Sequence, residues 1–217
     1  MTESEWFTCA DLMQMMDVVR GRASERKLRL FAVACCRRLW QEITAEQSRA
    51  AVLVAEKFAD GQATNQELES AANAACAVWD AEFQSGDDGS CKPMASMAAY
   101  NVAIPMEWWG GAPSFVAPWV LAQELAPDPV SETQAQCELL RDIIGNPFHL
   151  RTPQPVSDQS AIDLAQDIYL HGRFDQMPFL ADVLAKAGQA DAAMLAHCRQ
   201  PGPHVRGCLA LDSLLGK

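Results

Sequence analysis

Histidine is scarce in this sequence: four residues in 217, which leaves little for multi-metal or acid–base relay chemistry. The familiar local signatures of catalysis are also missing. There is no Gly-rich phosphate loop, no His-Glu-x-x-His, no Gly-x-Ser-x-Gly and no Glu-x-x-His di-iron pair. No short motif therefore points to nucleotide binding, metalloproteolysis, serine hydrolysis or di-iron chemistry. Cys-x-x-Cys is absent, which removes the standard zinc-finger and knuckle spacings. Basic residues are outnumbered, 17 against 28 acidic, and a net charge of −11 repels a phosphate backbone on average. Nucleic acid is not an expected partner. No apolar run approaches the ~18 residues that span a bilayer. The opening, Met1-Thr-Glu-Ser-Glu-Trp6, is acidic and has no apolar run behind a basic start. We expect no signal peptide, no membrane association and a cytoplasmic protein.

What is present is ordinary for a packed domain. Hydrophobic residues make up 49% and charged residues 21%, so disorder of the whole chain is excluded. A chain of this size buries roughly 70% of the surface its unfolded form exposes, and so needs no disulfide or metal to fold. Its eight cysteines invite a disulfide reading by their even number, but in a cytosolic chain they are expected to be reduced. Arg22, Arg26, Lys27 and Arg29, followed by Arg37 and Arg38, read as a solvated helix face or as arginines paired with nearby acids.

Helix punctuation recurs from end to end, and no alternating apolar–polar run marks a strand. Asp11 can cap a first helix that ends near Gly21, and Ser24 a second that runs to about Gln41. Within the second, Leu28, Phe31, Cys35 and Leu39 recur at helical spacing as one apolar stripe. Thr44-Ala-Glu-Gln47, Thr64-Asn-Gln-Glu67 and Ser131-Glu-Thr-Gln134 read as capping boxes. A Met/Ala-rich helix is predicted from Met94 to Ile104. Pro105 to Pro113 is irregular because it holds two Gly and two Pro, and a shorter helix follows to Leu125. Gly145-Asn146-Pro147 stops the helix opened at Ser131. Ser160, Pro178, Asp191 and Gly202-Pro203 open the remaining helices. The fold class is all-α, a helical bundle of about eight to ten helices. The Pro-rich connector Pro147–Pro155 is the clearest break. It separates an N-terminal helical bundle, residues 1–146, from a C-terminal helical subdomain, residues 156–217, unless the latter packs on the same core.

Three segments carry a resemblance. They are Glu5-Trp6 with Ser24-Glu-Arg-Lys-Leu-Arg-Leu-Phe-Ala-Val-Ala-Cys-Cys-Arg-Arg-Leu-Trp40, then Leu139-Leu-Arg-Asp-Ile-Ile-Gly-Asn-Pro-Phe148, and the tail. The tail runs from Leu180-Ala-Asp182 through His197-Cys-Arg199 and His204-Val-Arg-Gly-Cys208 to Leu214-Leu-Gly216. Together they resemble a family of uncharacterised bacterial proteins that occur as many paralogues. Leu209 stands where that family usually has an aromatic. The resemblance implies no activity, cofactor or catalytic residue.

Four features remain as candidate sites. His197, Cys198, His204 and Cys208 lie within twelve residues and are ligand types that Zn²⁺ prefers. On one helix His204 and Cys208 would share a face. The bland alternative buries both cysteines as small hydrophobes, sets His197 at a helix C-terminus and makes His204 a polar anchor. Cys35-Cys36 is a vicinal pair, read as core packing because a mid-helix position gives no dipole help to a nucleophile. Trp108-Trp109, in a Gly/Pro loop, reads either as a recognition element or as one plug and one surface ring. Arg141, Arg199 and Arg206 suggest a polar-ligand site, or else buried arginines bridging helices, with Arg141-Asp142 and Arg206-Asp212 as ion pairs.

The function expected from these features is a non-enzymatic protein-interaction or regulatory module without a cofactor, binding another protein or a peptide. The alternative is a metal-binding enzyme or sensor, of zinc type, built on the His/Cys tail. Oligomeric state is not readable from the sequence.

Overall fold

A computed structural model describes residues 1–85, 92–104, 118–148, 156–188 and 191–217. The described residues form twelve α-helices and one 3₁₀ turn, with no strand, so the protein is all-α. No helix among them is long and apolar enough to cross a membrane. The helices are α1 (Glu3–Thr8), α2 (Leu12–Val19), α3 (Glu25–Arg38), α4 (Glu46–Ala59), α5 (Asn65–Gln84) and α6 (Lys92–Ala103), then α7 (Pro118–Leu125), α8 (Pro129–Ile144), α9 (Gln159–His171), α10 (Met177–Ala187), α11 (Ala192–Arg199) and α12 (Leu209–Leu215). Trp108 and Trp109 lie outside the described residues. The helix count exceeds eight to ten partly because α1 is a separate short helix, capped by a Thr2–Glu5 box.

Local capping explains some helix starts and fails at others. At Thr64 the box forms: its hydroxyl accepts from Glu67 N at 3.2 Å, and Glu67 Oε2 accepts from Thr64 N at 2.7 Å. The expected Thr44 box does not form. Helix α4 begins at Glu46 after Ala45, which has no capping oxygen. The Ser131 box is also corrected. Asp128 Oδ1 accepts from the N–H groups of Val130 and Ser131, and Pro129 takes the first turn, where its missing N–H costs nothing. Asp158, not Ser160, caps α9. Ser24 and Asp191 cap α3 and α11 as read from the sequence. Gly202-Pro203 opens no helix; residues 200–208 are irregular and α12 starts only at Leu209.

The chain falls into two compact units that are not contiguous in sequence. One holds Ala10–Leu12 and Ala23–Gln136. Here α4, α5 and α6 pack on one another, and α3 packs against α4, α6 and α7. Helix α3 has no polar face in its middle. Every residue from Arg29 to Cys36 is buried, so the single expected stripe understates its burial. Charge is dealt with at the rim. Arg26 pairs with Asp60 at 2.9 Å, Arg37 with Glu56 at 2.7 Å and Arg38 with Glu132 at 2.7 Å. Buried Arg29 donates to the carbonyls of Val102 and Ile104 at 2.6 and 3.1 Å, meeting orphan acceptors at the end of α6.

The second unit holds Met1–Cys9, Met13–Arg22 and Cys137–Lys217. This unit groups the N-terminal helices α1 and α2 with the C-terminal ones. The end of α8 does the joining. Trp6, fully buried, donates its indole N–H to the Gly145 carbonyl at 2.8 Å. Arg141 donates to the carbonyls of Trp6 and Cys9. The core beneath is built from Ala165, Ile168, Tyr169, Met177, Leu180, Leu184, Cys198, Cys208 and Leu211, drawn from α9 to α12.

Gly145 ends α8 at φ +70°, and a Cβ there would lie 2.2 Å from Leu209 Cδ2. Gly188 has φ +63° with nothing within 4 Å. Gly188→Ala should therefore cost about 1 kcal/mol, from backbone strain alone. Gly145→Ala carries the same strain, and the end of the exposed Leu209 side chain must also swing aside, so it should cost at least as much. Urea unfolding of the two variants measures this; a smaller loss at Gly145 than at Gly188 would contradict the Leu209 contact.

Burial pushes the Cys36 thiol up to about 12, with Arg37 offsetting part of the shift, and pushes Cys35 well above its usual value. The protonated Cys36 thiol donates to the Ala98 carbonyl at 3.5 Å. The folded form thus holds a proton that the unfolded form releases near pH 9. Stability from this thiol is intact below pH 9 and declines as the pH rises towards 12. The expected loss at pH 10 is about 1 kcal/mol. Comparing urea midpoints at pH 8 and pH 10 checks this, and Cys36→Ala should show a smaller decline.

Candidate functional site

The last turn of α8 carries neighbouring residues with opposite tasks. Adjacent residues on a helix point about 100° apart. Arg141 reaches the N-terminal backbone, while Asp142 turns into the core, where its side chain is 2% exposed. The expected Arg141–Asp142 ion pair does not form, because Arg141 directs its N–H groups to the carbonyls of Trp6 and Cys9.

Asp142 meets three residues of the tail. His197 stands in the last turn of α11, and His204 in the irregular stretch after it. Cys208 is the N-cap residue of α12, and Gly207, at φ +89°, turns the chain just before it. Asp142 Oδ1 lies 2.6 Å from His204 Nδ1 and 3.2 Å from His197 Nε2. Cys208 Sγ lies 3.2 Å from His197 Nε2 and 3.8 Å from His204 Nδ1. The two imidazoles meet edge to face, with centroids 5.1 Å apart. One ligating atom from each of the four lies within 4.8 Å of every other. The second carboxylate oxygen accepts from the Val205 backbone N–H at 3.2 Å. The Gln200 amide nitrogen lies 3.2 Å from His197 Nδ1. Apart from His197, whose side chain is 19% exposed, the group is closed to solvent.

Electrostatics follow from that closure. Burial alone would raise the Asp142 pKa. Hydrogen bonds from His197 and His204 outweigh it, and the carboxyl sits below its usual value. The Cys208 thiol is pushed well above its usual value by burial and then by the Asp142 charge. Backbone N–H groups of Leu211 and Ala210 act in the opposite direction, more weakly. Cys208, His197 and Asp142 resemble a nucleophile, base and orienting acid by type alone. A nucleophilic cysteine needs a lowered pKa and access; this one has neither.

The structure thus brings together three of the four tail residues, His197, His204 and Cys208, and adds Asp142. Cys198 is fully buried in the core, its thiol pushed up to about 12 by burial and then by Asp142. His204 and Cys208 meet through the irregular stretch rather than along a helix face. The three arginines engage separate partners. Arg141 holds the N-terminal backbone, and Arg199 pairs with Asp182 at 2.8 Å near the surface. Arg206 donates to the Leu170 carbonyl and lies over the Tyr169 ring at 5.6 Å. Sequence reasoning missed Asp142 as a site residue. The available signal was a carboxylate in the last turn of a helix, where an acid is unfavourable next to the helix carbonyls unless something compensates it.

Comparison with protein-family models, curated proteins and solved structures gives no match.

Removing the Asp142 charge while keeping its size leaves one neutral amide oxygen for three donors and sets an amide NH2 against one of them. Asp142→Asn should destabilise the unit by about 3 kcal/mol, as expected when one partner of a buried pair is lost. Urea unfolding in the presence of a chelator measures it. A loss under about 0.5 kcal/mol, the usual size of a surface change, would contradict the assignment.

Proposed function

We propose that the chain is a non-enzymatic helical module that binds another protein or a peptide, and that the Asp142 cluster is a pin holding one unit in shape. The observation that carries this reading is the chemical state of the cluster. Its one thiol is suppressed, its carboxylate is met by three donors, and it is closed to solvent except at the half-buried His197. Such a group holds chain segments together and offers a substrate nothing to react with. A groove of about 460 Å³ on the same unit supports the binding half of the proposal. It is lined by Met1, Gln14, Asp17, Val18, Arg20, Arg22 and Phe148, with Arg20 3.8 Å from Asp17 and Arg22 over the Phe148 ring at 5.6 Å. Two arginines against one aspartate leave the lining cationic by one charge, which suits a peptide carrying acidic residues.

Two measurements test the proposal. Native Cys208 should react with iodoacetamide at neutral pH at least 100-fold more slowly than in the urea-unfolded chain; rapid labelling would argue for an activated thiol and an enzyme. An Arg20→Glu, Arg22→Glu double variant should keep its helical circular dichroism. It should also lose, by 10-fold or more, the affinity of the native protein for an acidic peptide selected on it. Unchanged affinity would remove the groove from the proposal. The Trp108-Trp109 segment is a second place where a partner could be held, and Trp108→Ala with Trp109→Ala serves as the parallel control.

A further inference from the structure

The pin has the donor set of a metal centre. Resting on the reading of the cluster as closed and non-catalytic, we propose that Asp142 Oδ1, His197 Nε2, His204 Nδ1 and Cys208 Sγ bind one zinc-class divalent cation in a tetrahedral site.

Distances support this first. A tetrahedral cation with bonds of ~2.0 Å to nitrogen or oxygen and ~2.3 Å to sulfur sets its ligands roughly 3.2–3.8 Å apart. Asp142 to His197 is 3.2 Å, His197 to Cys208 is 3.2 Å and Cys208 to His204 is 3.8 Å. These edges already fit. Of the other three edges of the tetrahedron, His204 to Asp142 at 2.6 Å is a hydrogen bond that opens by about 0.6 Å when its proton leaves, and His197–His204 and Asp142–Cys208 lie within 4.8 Å and close on the ion. The chain therefore needs side-chain adjustment rather than refolding to admit the ion.

Charge supports it next. A carboxylate and a thiolate cancel a divalent cation, so the loaded site is neutral and bears little burial penalty. Loading is balanced by proton release: the S–H bond of Cys208 breaks, an S–metal bond forms and one proton goes to solvent. Each imidazole would present a bare nitrogen to the ion, with its one proton on the other ring nitrogen. For His204 the proton facing Asp142 on Nδ1 moves to Nε2 on loading, a buried nitrogen with no hydrogen-bond partner among the described residues. For His197 the Gln200 amide, turned to present its oxygen, accepts from Nδ1–H. Val205 N–H anchors Asp142 Oδ2 and leaves Oδ1 for the ion. The Ala210 and Leu211 N–H groups favour the Cys208 thiolate.

Donor chemistry selects the ion. One oxygen, two nitrogens and one sulfur suit Zn²⁺ or Co²⁺, whereas Ca²⁺ and Mg²⁺ require six or more oxygens. Four protein ligands leave no open position, which makes the site structural. It ties α8 to α11 and to the start of α12.

The test uses the full chain and cobalt(II). Protein purified without chelator should carry about one zinc per chain. After stripping, titration with cobalt(II) should give the intense visible absorption of a tetrahedral ion, with a thiolate-to-cobalt charge-transfer band, both saturating at one equivalent. Zinc should displace the cobalt. Cys208→Ser should abolish the charge-transfer band, Cys198→Ser should retain it, and His204→Gln should weaken cobalt binding at least 10-fold. A weak octahedral spectrum, or a charge-transfer band that survives Cys208→Ser, would overturn the site. That failure would leave the pin standing if Asp142→Asn still destabilised the stripped protein. A tetrahedral spectrum with no effect of Asp142→Asn on the stripped protein would do the reverse, sinking the metal-free pin and retaining the metal.

Discussion

The buried carboxylate of Asp142 is the constraint on which one unit depends. A charge at 2% exposure is tolerable only with several donors, and Asp142 has two imidazoles and a backbone N–H. Meeting that need fixes where α11 ends, how residues 200–208 run and where α12 begins. The same turn of α8 fixes the other end of the chain. Arg141 and the Gly145 carbonyl hold Trp6, so one helix terminus organises segments from both ends of the sequence. Leu209, next to Cys208, fills the space that a side chain at Gly145 would need.

The cysteines follow a common rule. Cys35, Cys36, Cys198 and Cys208 are fully buried, and burial raises the pKa of each. Three of them behave as small apolar side chains. Cys208 differs in its neighbours: two imidazole nitrogens stand near its sulfur, and two backbone N–H groups partly oppose the raised pKa. A thiol so placed is a poor nucleophile without a metal and a good ligand with one, because a cation reverses the local charge balance.

The other unit solves a different problem. Helix α3 is buried through its middle, yet its sequence is rich in arginine. The long side chains reach out along the helix and meet Asp60, Glu56 and Glu132 at the rim, while Arg29 uses helix-end carbonyls. Of the two sequence readings of this basic run, pairing with acids describes Arg26, Arg37 and Arg38. A stretch that looks cationic in isolation is neutralised by partners from distant parts of the chain.

Sequence by itself determined the all-α class, the existence of most helices and the caps at Ser24, Thr64 and Asp191, because these depend on residues within a single turn. It also singled out the His/Cys tail, since three of its members lie within twelve residues. Caps at Thr44 and Ser131 went astray where a stronger local signal, Asp128-Pro129, or the lack of any capping side chain, at Ala45, set the boundary. Asp142 was beyond reach for a different reason. It is 62 positions from His204, and no local pattern encodes that pairing. Only the packed core, by excluding water from a carboxylate that must still be hydrogen-bonded, brings the two together.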